Sequence, residues 1–504
     1  MTENKPKSKT PRSLRDRLLG LFILFIAILI FSLPFPHDSI TLGRENYLIT
    51  AETNLAEGIT SDDEVMVEYS TNEAGEREAA RITKAAAADP ETACVIGVSE
   101  DECIQKPSGQ VYGVVKEISI KGDLKSTFVM TSLRSGVTIE APDLVLPTAI
   151  TIYLLGIGAT AAGLWQILRG FKRTTLAVVL VVVTGILAFF IWATLDASMN
   201  LTGMLVSSLV RATPIALAAL SGIYSERSGV VNIGIEGMML VGAQMSVVVA
   251  SVTGNLLFGV VSGILAGMLF GGLHAVLSVR YKVNQIVSGA GIIILALGLT
   301  SYIQRALFND FPYLNTPGPA IPAYPIPILW KIPVIGPLFF NQSPIIYTLF
   351  ILLIVTHILM YQTRWGLRTR SVGEHPRAAD TLGINVFKTR YISVLISGAI
   401  AGLAGTYMSI GAAGRFNEGM TAGKGFLGLA AMIFGNWNPA GAFLGSLIFG
   451  FFDSWQEKLS ILQVGIPVDL LGMAPYLATM IVLAGIVGQA RMPAADGVPY
   501  EKEG

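Results

Sequence analysis

Long apolar stretches are the feature that most constrains what this chain can fold into. A helix rises about 1.5 Å per residue, so crossing a roughly 30 Å hydrocarbon layer takes about 20 apolar residues. About twelve stretches approach or reach this length, although the tenth and the eleventh are short. The candidate spans are 18–33, 144–168, 174–195, 201–224, 230–252, 256–279, 286–308, 344–363, 391–412, 425–438, 440–455 and 470–490. The sequence therefore predicts an all-α polytopic membrane protein with about twelve transmembrane helices.

The distribution of charge supports a membrane protein and orients it. Charged residues make up 14% of the 504 residues, whereas about 25% is usual in soluble domains. Lysine and arginine in short loops are retained on the cytoplasmic side of a membrane. One alternation of spans places every basic loop there, namely residues 5–17, 169–173, 227, 280–282, 364–390 and 491. We therefore expect both termini in the cytoplasm.

A segment after the first span differs from the rest of the chain. Residues 37–143 carry 20 acidic and 9 basic side chains, and the orientation places them outside the cytoplasm. A helix is predicted over 79–88, and short β-type runs occur at 65–69, 111–120, 127–131 and 137–139. We predict a small extracytoplasmic α+β or β-rich domain inserted after the first span. It either docks a partner or shields the outer face.

Both cysteines of the chain, Cys94 and Cys103, lie in this segment. Disulfides form in oxidising compartments and are rare in the cytosol. If the segment faces an oxidising exterior, the pair can close one local disulfide bridge. The alternative is two unpaired thiols.

These observations divide the chain into five parts. They are a basic cytoplasmic N-terminus with the first transmembrane helix (1–36), the extracytoplasmic domain (37–143), two additional transmembrane helices (144–199), a core (200–490) and a cytoplasmic tail (491–504). The first span has the basic flank of a signal peptide. We favour an uncleaved anchor, because prolines at 34 and 36 follow it where a cleavage site would need small residues.

Motifs for several enzyme classes are absent from the sequence. Residues 419–425 come nearest to a P-loop, but three residues rather than four separate their glycines, and a glycine follows Lys424 where Ser or Thr would bind magnesium. There is no G-x-S-x-G or H-E-x-x-H motif, and the four histidines are scattered. We predict no catalytic residue, no metal site and no cofactor. Equal numbers of basic and acidic residues, 35 of each, do not favour nucleic-acid binding.

Arg211 is an ionisable residue ten positions into the fourth candidate span. Such groups are costly inside a bilayer and usually face a cavity or a partner. Pro214 follows three positions later, so we predict a locally opened helix whose cation points into a substrate pathway. The alternative is an arginine paired with a neighbouring carboxylate for packing.

Two segments combine glycines with polar residues in apolar surroundings. Residues 225–237 read SERSGVVNIGIEG and contain Asn232 and Glu236, whereas residues 414–426 read GRFNEGMTAGKGF and contain Asn417 and Glu418. Broken helices expose backbone groups that protein, water or a ligand must satisfy. Amides and carboxylates suit recognition of hydroxyls or a heterocycle. We predict that two related halves meet here around a substrate pathway; the alternative is a structural role in capping and helix packing.

Glycines also form stripes that permit close helix approach. Four recur every fourth residue in the sixth span, and pairs with the same spacing occur in later spans: residues 259, 263, 267 and 271, then 398 and 402, then 441 and 445. We interpret these stripes as packing devices.

The basic loop 364–390 contains a predicted short helix. Pro376 suits a first helical position and Gly383 suits the position just after a helix. A short helix on the cytoplasmic surface can dock another protein; the alternative is a solvated loop that only enforces topology. The candidate docking residues are Glu374, His375, Pro376, Arg377, Ala378, Ala379, Asp380 and Gly383.

At these motifs the sequence resembles permease subunits of bacterial ABC importers for branched-chain amino acids, ribose and nucleosides. The resemblance covers about residues 200–490 and rests on three strings: ATPIALAALSGIYSERSGVVNIGIEGMMLVGA, GLRTRSVGEHPRAADTLGIN and GKGFLGLAAMIFGNWNPAGAFLGSLIFG. The asparagine-isoleucine-glycine motif before the glutamate is most similar to the nucleoside branch. Members commonly lack a domain like 37–143, so the resemblance assigns that domain no function.

The resemblance implies an ABC permease core over 200–490 in the bacterial plasma membrane. It implies a second permease subunit or a second copy, two cytoplasmic ATPase domains that hold ATP and magnesium, and an extracytoplasmic binding protein or lipoprotein. The helix at 376–383 then corresponds to the coupling helix that enters a groove on the ATPase. Apart from these proteins, we expect contacts with membrane lipid only.

Three alternatives stay open at this point. An ion-gradient-driven secondary transporter also has about twelve spans, and it would transport without ATP. A membrane sensor would bind a ligand through its external domain and transport nothing. Within the ABC class, a simple sugar is the next candidate substrate after nucleosides.

Overall fold

The computed structural model describes most of the chain. The described residues are 14–33, 39–42, 45–55, 64–71, 77–84, 110–119, 125–130, 132–134, 137–139, 142–171, 174–195, 198–461, 473 and 491–502. Cys94, Cys103 and the candidate span 470–490, apart from residue 473, lie outside them. Two compact units are present. Unit 1 contains Met1–Phe128 and Leu144–Met199, and unit 2 contains Val129–Asp143 and Asn200–Gly504.

Unit 1 contains a small closed β-barrel. Its strands follow the order β1-β2-β4-β3-β5, and only β2 and β4 pair in parallel. The strands are β1 (Ser39–Leu42), β2 (Glu45–Leu55), β3 (Glu64–Thr71), β4 (Arg77–Lys84) and β5 (Gln110–Ser119). Closure leaves no free edge for pairing with other chains. The predictions of strands at 65–69 and over the described part of 111–120 are confirmed as β3 and β5.

The helix predicted over 79–88 is wrong for the part that the structure describes. Residues 77–84 form β4, which pairs Ile82 with Val67 in β3 and Glu78 with Leu48 in β2. Alanine favours helices intrinsically, but strand pairing on both sides holds this alanine-containing segment extended. Residues 85–88 lie outside the described part of the chain.

Shorter strands follow the barrel in the sequence. They are β6 (Lys125–Val129), β7 (Ser132–Arg134), β8 (Val137–Ile139), β9 (Leu144–Pro147) and β10 (Ser198–Asn200). β6 pairs antiparallel with β9, and β7 pairs antiparallel with β8. The predictions of strands at 127–131 and 137–139 thus correspond to β6 and β8, which are not part of the barrel.

Three helices complete unit 1: α1 (Leu14–Phe31), α2 (Thr148–Leu168) and α3 (Thr174–Ala193). The Ser126 hydroxyl in β6 joins this group, since it donates to the Ile191 carbonyl of α3 at 2.6 Å and lies 2.7 Å from the Thr148 hydroxyl. A Cβ atom added at Gly163 of α2 would lie 2.8 Å from the Leu24 side chain of α1. Small residues therefore bring these helices close together.

Unit 2 is a helical body. Its helices are α4 (Leu201–Glu226), α5 (Ile235–Thr253), α6 (Leu256–Ala275), α7 (Gln285–Ile303), α8 (Pro344–Gln362), α9 (Arg364–Glu374), α10 (Pro376–Thr381), α11 (Val386–Thr406), α12 (Lys424–Phe434) and α13 (Pro439–Ile461). π-helical turns extend three of them, to Arg280 after α6, Phe308 after α7 and Ala413 after α11. Between α7 and α8, two short strands pair, β11 (Tyr324–Pro325) and β12 (Asn341–Gln342).

Seven helices among the described residues are long and apolar enough to cross a membrane. They are Thr148–Leu168, Leu201–Glu226, Ile235–Thr253, Leu256–Arg280, Gln285–Phe308, Pro344–Gln362 and Val386–Ala413. Shorter apolar helical stretches occur at Leu19–Phe31, Leu180–Ala193 and Lys424–Phe434. The chain is therefore a largely helical polytopic membrane protein.

The candidate span 425–438 is not one full helix. α12 has 11 residues and is about 16 Å long, so it crosses only part of a bilayer. The preceding non-helical residues begin beside the α7–α8 loop, where Asn315 exchanges hydrogen bonds with the Phe416 backbone. At the other end, the Trp437 carbonyl accepts from Arg227 at the end of α4. Residues 414–437 thus run between opposite ends of unit 2 as an interrupted helix, and α13 returns antiparallel to α12.

α4 corrects the prediction of a locally opened helix near Pro214. The helix is continuous from Leu201 to Glu226 with Pro214 inside it. Proline lacks the N–H that would bond the carbonyl four residues earlier. In this fold the Tyr407 hydroxyl donates to that carbonyl, Val210 O, at 3.2 Å. A side chain from α11 therefore satisfies the group that Pro214 leaves free, and the helix stays closed.

The glycine stripes pack α5, α6 and α11 at backbone contact, which confirms their interpretation as packing devices. A Cβ atom added at Gly267 of α6 would lie 2.5 Å from the Gly402 Cα atom of α11. One added at Gly242 of α5 would lie 2.6 Å from the same atom. Gly402 thus occupies the point where three helices meet, and its neighbours cannot move independently.

We predict that Gly402→Val destabilises the protein, because overpacking a tight core typically costs about 1–3 kcal/mol. The effect is measured as the melting temperature in detergent, with size-exclusion chromatography as the readout of thermal unfolding. Gly298→Val is the matched control, since no atom lies within 4 Å of a Cβ added at Gly298 of α7. Equal melting temperatures for the two variants would contradict the packing argument.

Candidate functional site

The first glycine-rich segment is a break between α4 and α5. Residues 228–234 are non-helical, and Gly229 adopts a left-handed φ of 85°. Side chains from neighbouring helices satisfy its backbone. Gln285 Oε1 accepts from Val231 N at 2.7 Å, and His274 Nε2 lies 3.0 Å from Val231 O. The break is therefore held by protein groups, as backbone at membrane depth requires.

Asn232 lies fully buried inside this break. Its amide nitrogen donates to the Ser397 hydroxyl of α11 at 3.0 Å, and Ser397 in turn contacts Ser221 of α4 at 2.9 Å. The side-chain oxygen of Asn232 has no hydrogen-bond partner among the described residues. A buried amide oxygen without a partner is an acceptor that water or a ligand group can use.

Glu236 joins the two glycine-rich segments. It lies in the first turn of α5 and is buried, and its carboxylate accepts from Gly423 N at 2.8 Å and from Gly425 N at 2.6 Å. These N–H groups belong to the start of α12, where the helix dipole favours a negative charge. These contacts match the alternative given for this segment, a structural role in helix capping.

Asn417 and Glu418 lie elsewhere. Both are exposed in the non-helical segment before α12, and Glu418 pairs with Arg305 at 3.1 Å. The structure therefore brings the two segments together through Glu236 and the glycines, whereas Asn417 and Glu418 lie near the α7–α8 loop.

Arg211 takes part in a charged network between α4, α12 and α13. Its guanidinium lies 3.2 Å from an Asp453 carboxylate oxygen and 2.9 Å from a Glu457 oxygen. Lys424 at the start of α12 lies 3.4 Å from the same Asp453 oxygen. This is the carboxylate pairing that the sequence offered as the alternative for Arg211. The four side chains are 22–45% exposed, so the network lies on a surface of the chain.

Sequence reasoning missed Asp453, Glu457 and Lys424. A signal was available, because Asp453 interrupts the eleventh apolar stretch and Lys424 directly precedes the tenth. These two charged residues did not stand out among the many polar residues in or beside the apolar stretches. Only the antiparallel packing of α12 on α13 brings Lys424 level with Asp453.

The predicted surface helix is present as α10. Pro376 occupies its first turn, and Gly383, just beyond its end, has a left-handed φ of 79°. Ala379 is buried against Val372 of α9 and Val386 of α11, so the helix is anchored on one face. The opposite face is open, and Leu382 is 81% exposed. The exposed residues around Leu382 are Glu374, His375, Arg377, Ala378, Thr381 and Gly383.

Residues 204–488 match the family described as the permease component of the branched-chain amino acid transport system. The chain belongs to this permease family. The match covers the body of unit 2, including the break, the charged network and α10, and it confirms the resemblance stated over 200–490. It begins after the barrel and α1–α3.

The permease is similar to several curated transport proteins. It is 41% identical to the guanosine ABC transporter permease protein NupQ of Bacillus subtilis (strain 168), over 59% of this chain and 95% of the relative. It is 40% identical to the nucleoside ABC transporter permease protein NupC of Lactococcus lactis subsp. cremoris (strain MG1363), over 58% of this chain and 95% of the relative. It is also 26% identical to NupP, another guanosine ABC transporter permease protein of the same Bacillus strain, over 51% of this chain and 75% of the relative. No solved structure matches the chain.

We predict that Glu236→Ala destabilises the permease, because it leaves the buried Gly425 N–H and the partly buried Gly423 N–H without their acceptor, and a buried unsatisfied group costs about 1–3 kcal/mol. Glu236→Gln keeps one acceptor oxygen and should recover part of the loss. The measurement is the midpoint of thermal unfolding in detergent. The control is Asp310→Asn, which removes an exposed carboxylate. Full stability of Glu236→Ala would argue against the cap.

Proposed function

We propose that this permease is the translocation subunit of an ABC importer for nucleosides. The observation that carries the proposal is the similarity to two nucleoside permeases at 40–41% identity across nearly their whole length. The residues of this chain would bind and conduct the solute. ATP and magnesium would be bound, and ATP hydrolysed, by two partner ATPase domains, so the chain itself would not be an enzyme.

A second permease subunit is part of the proposal. The chain is similar to both NupQ and NupP of one bacterium, so two related permeases can occur side by side. An extracytoplasmic binding protein or lipoprotein would deliver the solute. The positions of basic residues favour about twelve crossings, with both termini in the cytoplasm of a bacterium and the barrel outside. The interrupted helix 414–437 would supply the tenth crossing.

The charged network supports a location for the pathway. Arg211 lies about 15 Å along α4, which is about 39 Å long, so it is well inside the span. Charged side chains at that depth rarely face lipid. Because the four side chains of the network are partly exposed in the single chain, their surface would face a water-filled pathway or the second permease. Asn232 and Glu236 would line the closed interior behind it, and Asn417 and Glu418 its outer entrance.

α10 supplies the proposed contact with the ATPase. Its buried face fixes it to α9 and α11, and Leu382 projects from the opposite side. We propose that this apolar side chain, which is 81% exposed beside the charged residues Glu374 and Arg377, is covered by the ATPase. Movement of the ATPase would thereby reach the membrane helices.

The substrate is tested with the complete complex in proteoliposomes, supplied with ATP and the binding protein. We expect nucleosides, including guanosine, to be taken up and to stimulate ATP hydrolysis, whereas ribose and glucose do neither. A response to a simple sugar alone would overturn the substrate assignment. Uptake that follows an ion gradient without ATP would overturn the ABC mechanism.

The pathway is tested by Arg211→Gln and Asp453→Asn. We expect each to reduce nucleoside uptake about tenfold, while thermal stability changes little because partly exposed ion pairs contribute about 1 kcal/mol or less. Arg280→Gln, which removes an exposed cation at the end of the α6 span, is the control. Unchanged uptake in both network variants would exclude this surface from the pathway.

A further inference from the structure

Residues 491–502 lie across one end of unit 2 and are bonded to α9, to α11 and to the segments that follow α6 and α12. Ala495 N donates to Gly373 O of α9 at 2.9 Å, and Arg390 Nη1 of α11 donates to Val498 O at 3.0 Å. Two more contacts fix the ends of the segment. Arg491 N donates to Asn436 Oδ1 at 3.0 Å, and Lys282 Nζ forms an ion pair with Glu501 Oε1 at 2.8 Å. We call residues 491–502 the strap.

The strap reaches α10 through Tyr500. This tyrosine is buried in a cluster with Ala379 of α10, Val372 of α9 and Val386 of α11. Its ring lies 5.4 Å from that of Phe387, a spacing favourable for aromatic pairs. Movement of α10 therefore cannot occur without displacing Tyr500 or carrying it along.

The strap also touches the break between α4 and α5. A Cβ atom added at Gly229 would lie 3.1 Å from Ala495 O, and one added at Gly497 would lie 3.5 Å from the Val231 side chain. Gly373 of α9 packs against Arg227 O on the same segment. The strap and the end of α9 thus lie directly on the backbone that leads to Asn232.

Asp496 is the buried charge of the strap, with 6% exposure. Glu226 of α4 and Arg390 of α11 face it, and Glu374 of α9 accepts from the neighbouring Ala494 N at 3.2 Å. Trp437, between α12 and α13, holds Glu226 by a 2.7 Å hydrogen bond from its indole N–H. The side chain of Asp496 thus meets the end of α4, where the break begins, and the first turns of α11.

We propose that the strap is a positioning element that transmits movement of α10 to the α4–α5 break, and thereby couples ATP hydrolysis to transport. The proposal rests on the proposed docking of the ATPase at α10. It assigns no contact with the solute to the strap.

A pH dependence follows from Asp496. Burial raises its pKa to about 7 from the usual 3.8, although Arg390 acts in the opposite direction. The docked strap therefore binds a proton more tightly than a released one. Docking of the strap onto unit 2 is therefore strongest at low pH and weakens as the pH rises through about 7. Between pH 6 and pH 8 the equilibrium constant for docking of the strap should fall about tenfold, and above that range it should be constant.

The test uses the complete complex in proteoliposomes and three measurements: co-purification of the ATPase, nucleosides taken up per ATP hydrolysed, and that ratio at pH 6 and pH 8. For Tyr500→Ala we expect the ATPase to stay bound while uptake per ATP falls about tenfold. Tyr500→Phe should restore coupling, because it keeps the ring. Lys502→Gln, an exposed position of the strap, should leave the ratio unchanged.

Asp496→Asn is the second variant and remains informative if Tyr500→Ala does not fold. We expect it to reduce the difference between pH 6 and pH 8, because the amide does not titrate and only Glu226 of the Asp496–Glu226 pair can then bind a proton. An unchanged pH dependence in Asp496→Asn, or normal coupling in Tyr500→Ala, would overturn the proposal. Loss of the ATPase from Tyr500→Ala would also overturn it, since the strap would then only support α10.

Leu382→Asp separates this proposal from the proposed function. It should release the ATPase without changing the contacts of the strap, because Leu382 is 81% exposed and lies outside the Tyr500 cluster. If Leu382→Asp keeps the ATPase fully bound, docking at α10 is wrong. In that case, uncoupling by Tyr500→Ala would still demonstrate a role for the strap.

Discussion

Backbone polar groups inside a membrane must find partners within the protein, and this constraint governs the body of the permease. Two of its crossings are not continuous helices, so their exposed N–H and C=O groups need specific acceptors and donors. The Glu236 carboxylate provides two of these acceptors, for Gly423 and Gly425. One side chain thereby links the interrupted segment before α5 to the one before α12.

The interrupted segments contrast with the packing around them. α5, α6 and α11 meet through glycines at backbone contact, which leaves these three helices little freedom to move separately. The α4–α5 break is instead held by hydrogen bonds with the side chains of Gln285, His274 and Ser225. Such bonds can be exchanged for others at small cost. A rigid group of helices beside exchangeable polar contacts is an arrangement in which a short segment can change conformation while the body stays intact.

Several features of the fold were predictable from the residues, and each has a local cause. Apolar length predicted the helices, the proline–glycine spacing predicted α10, and small-residue spacing predicted the contacts of Gly267 and Gly402. Other predictions failed because distant partners decided them. Alanines at 79 and 80 favour a helix, but β2 and β3 both pair with Ala79 and hold the segment as a strand. Pro214 suggested an open helix, but Tyr407 of α11 satisfies the carbonyl that proline leaves free.

For the candidate site, the sequence by itself determined which polar residues lie in apolar surroundings, because hydrophobic periodicity and helix-breaking residues are local properties. It also determined the family, since the matching strings are contiguous. Only the tertiary structure decided what those residues contact. Glu236 caps a helix nearly 190 positions away in the sequence, Arg211 meets Asp453 and Glu457, and the strap reaches both α10 and the α4–α5 break. These contacts depend on helix order and antiparallel packing, which no local pattern in the sequence specifies.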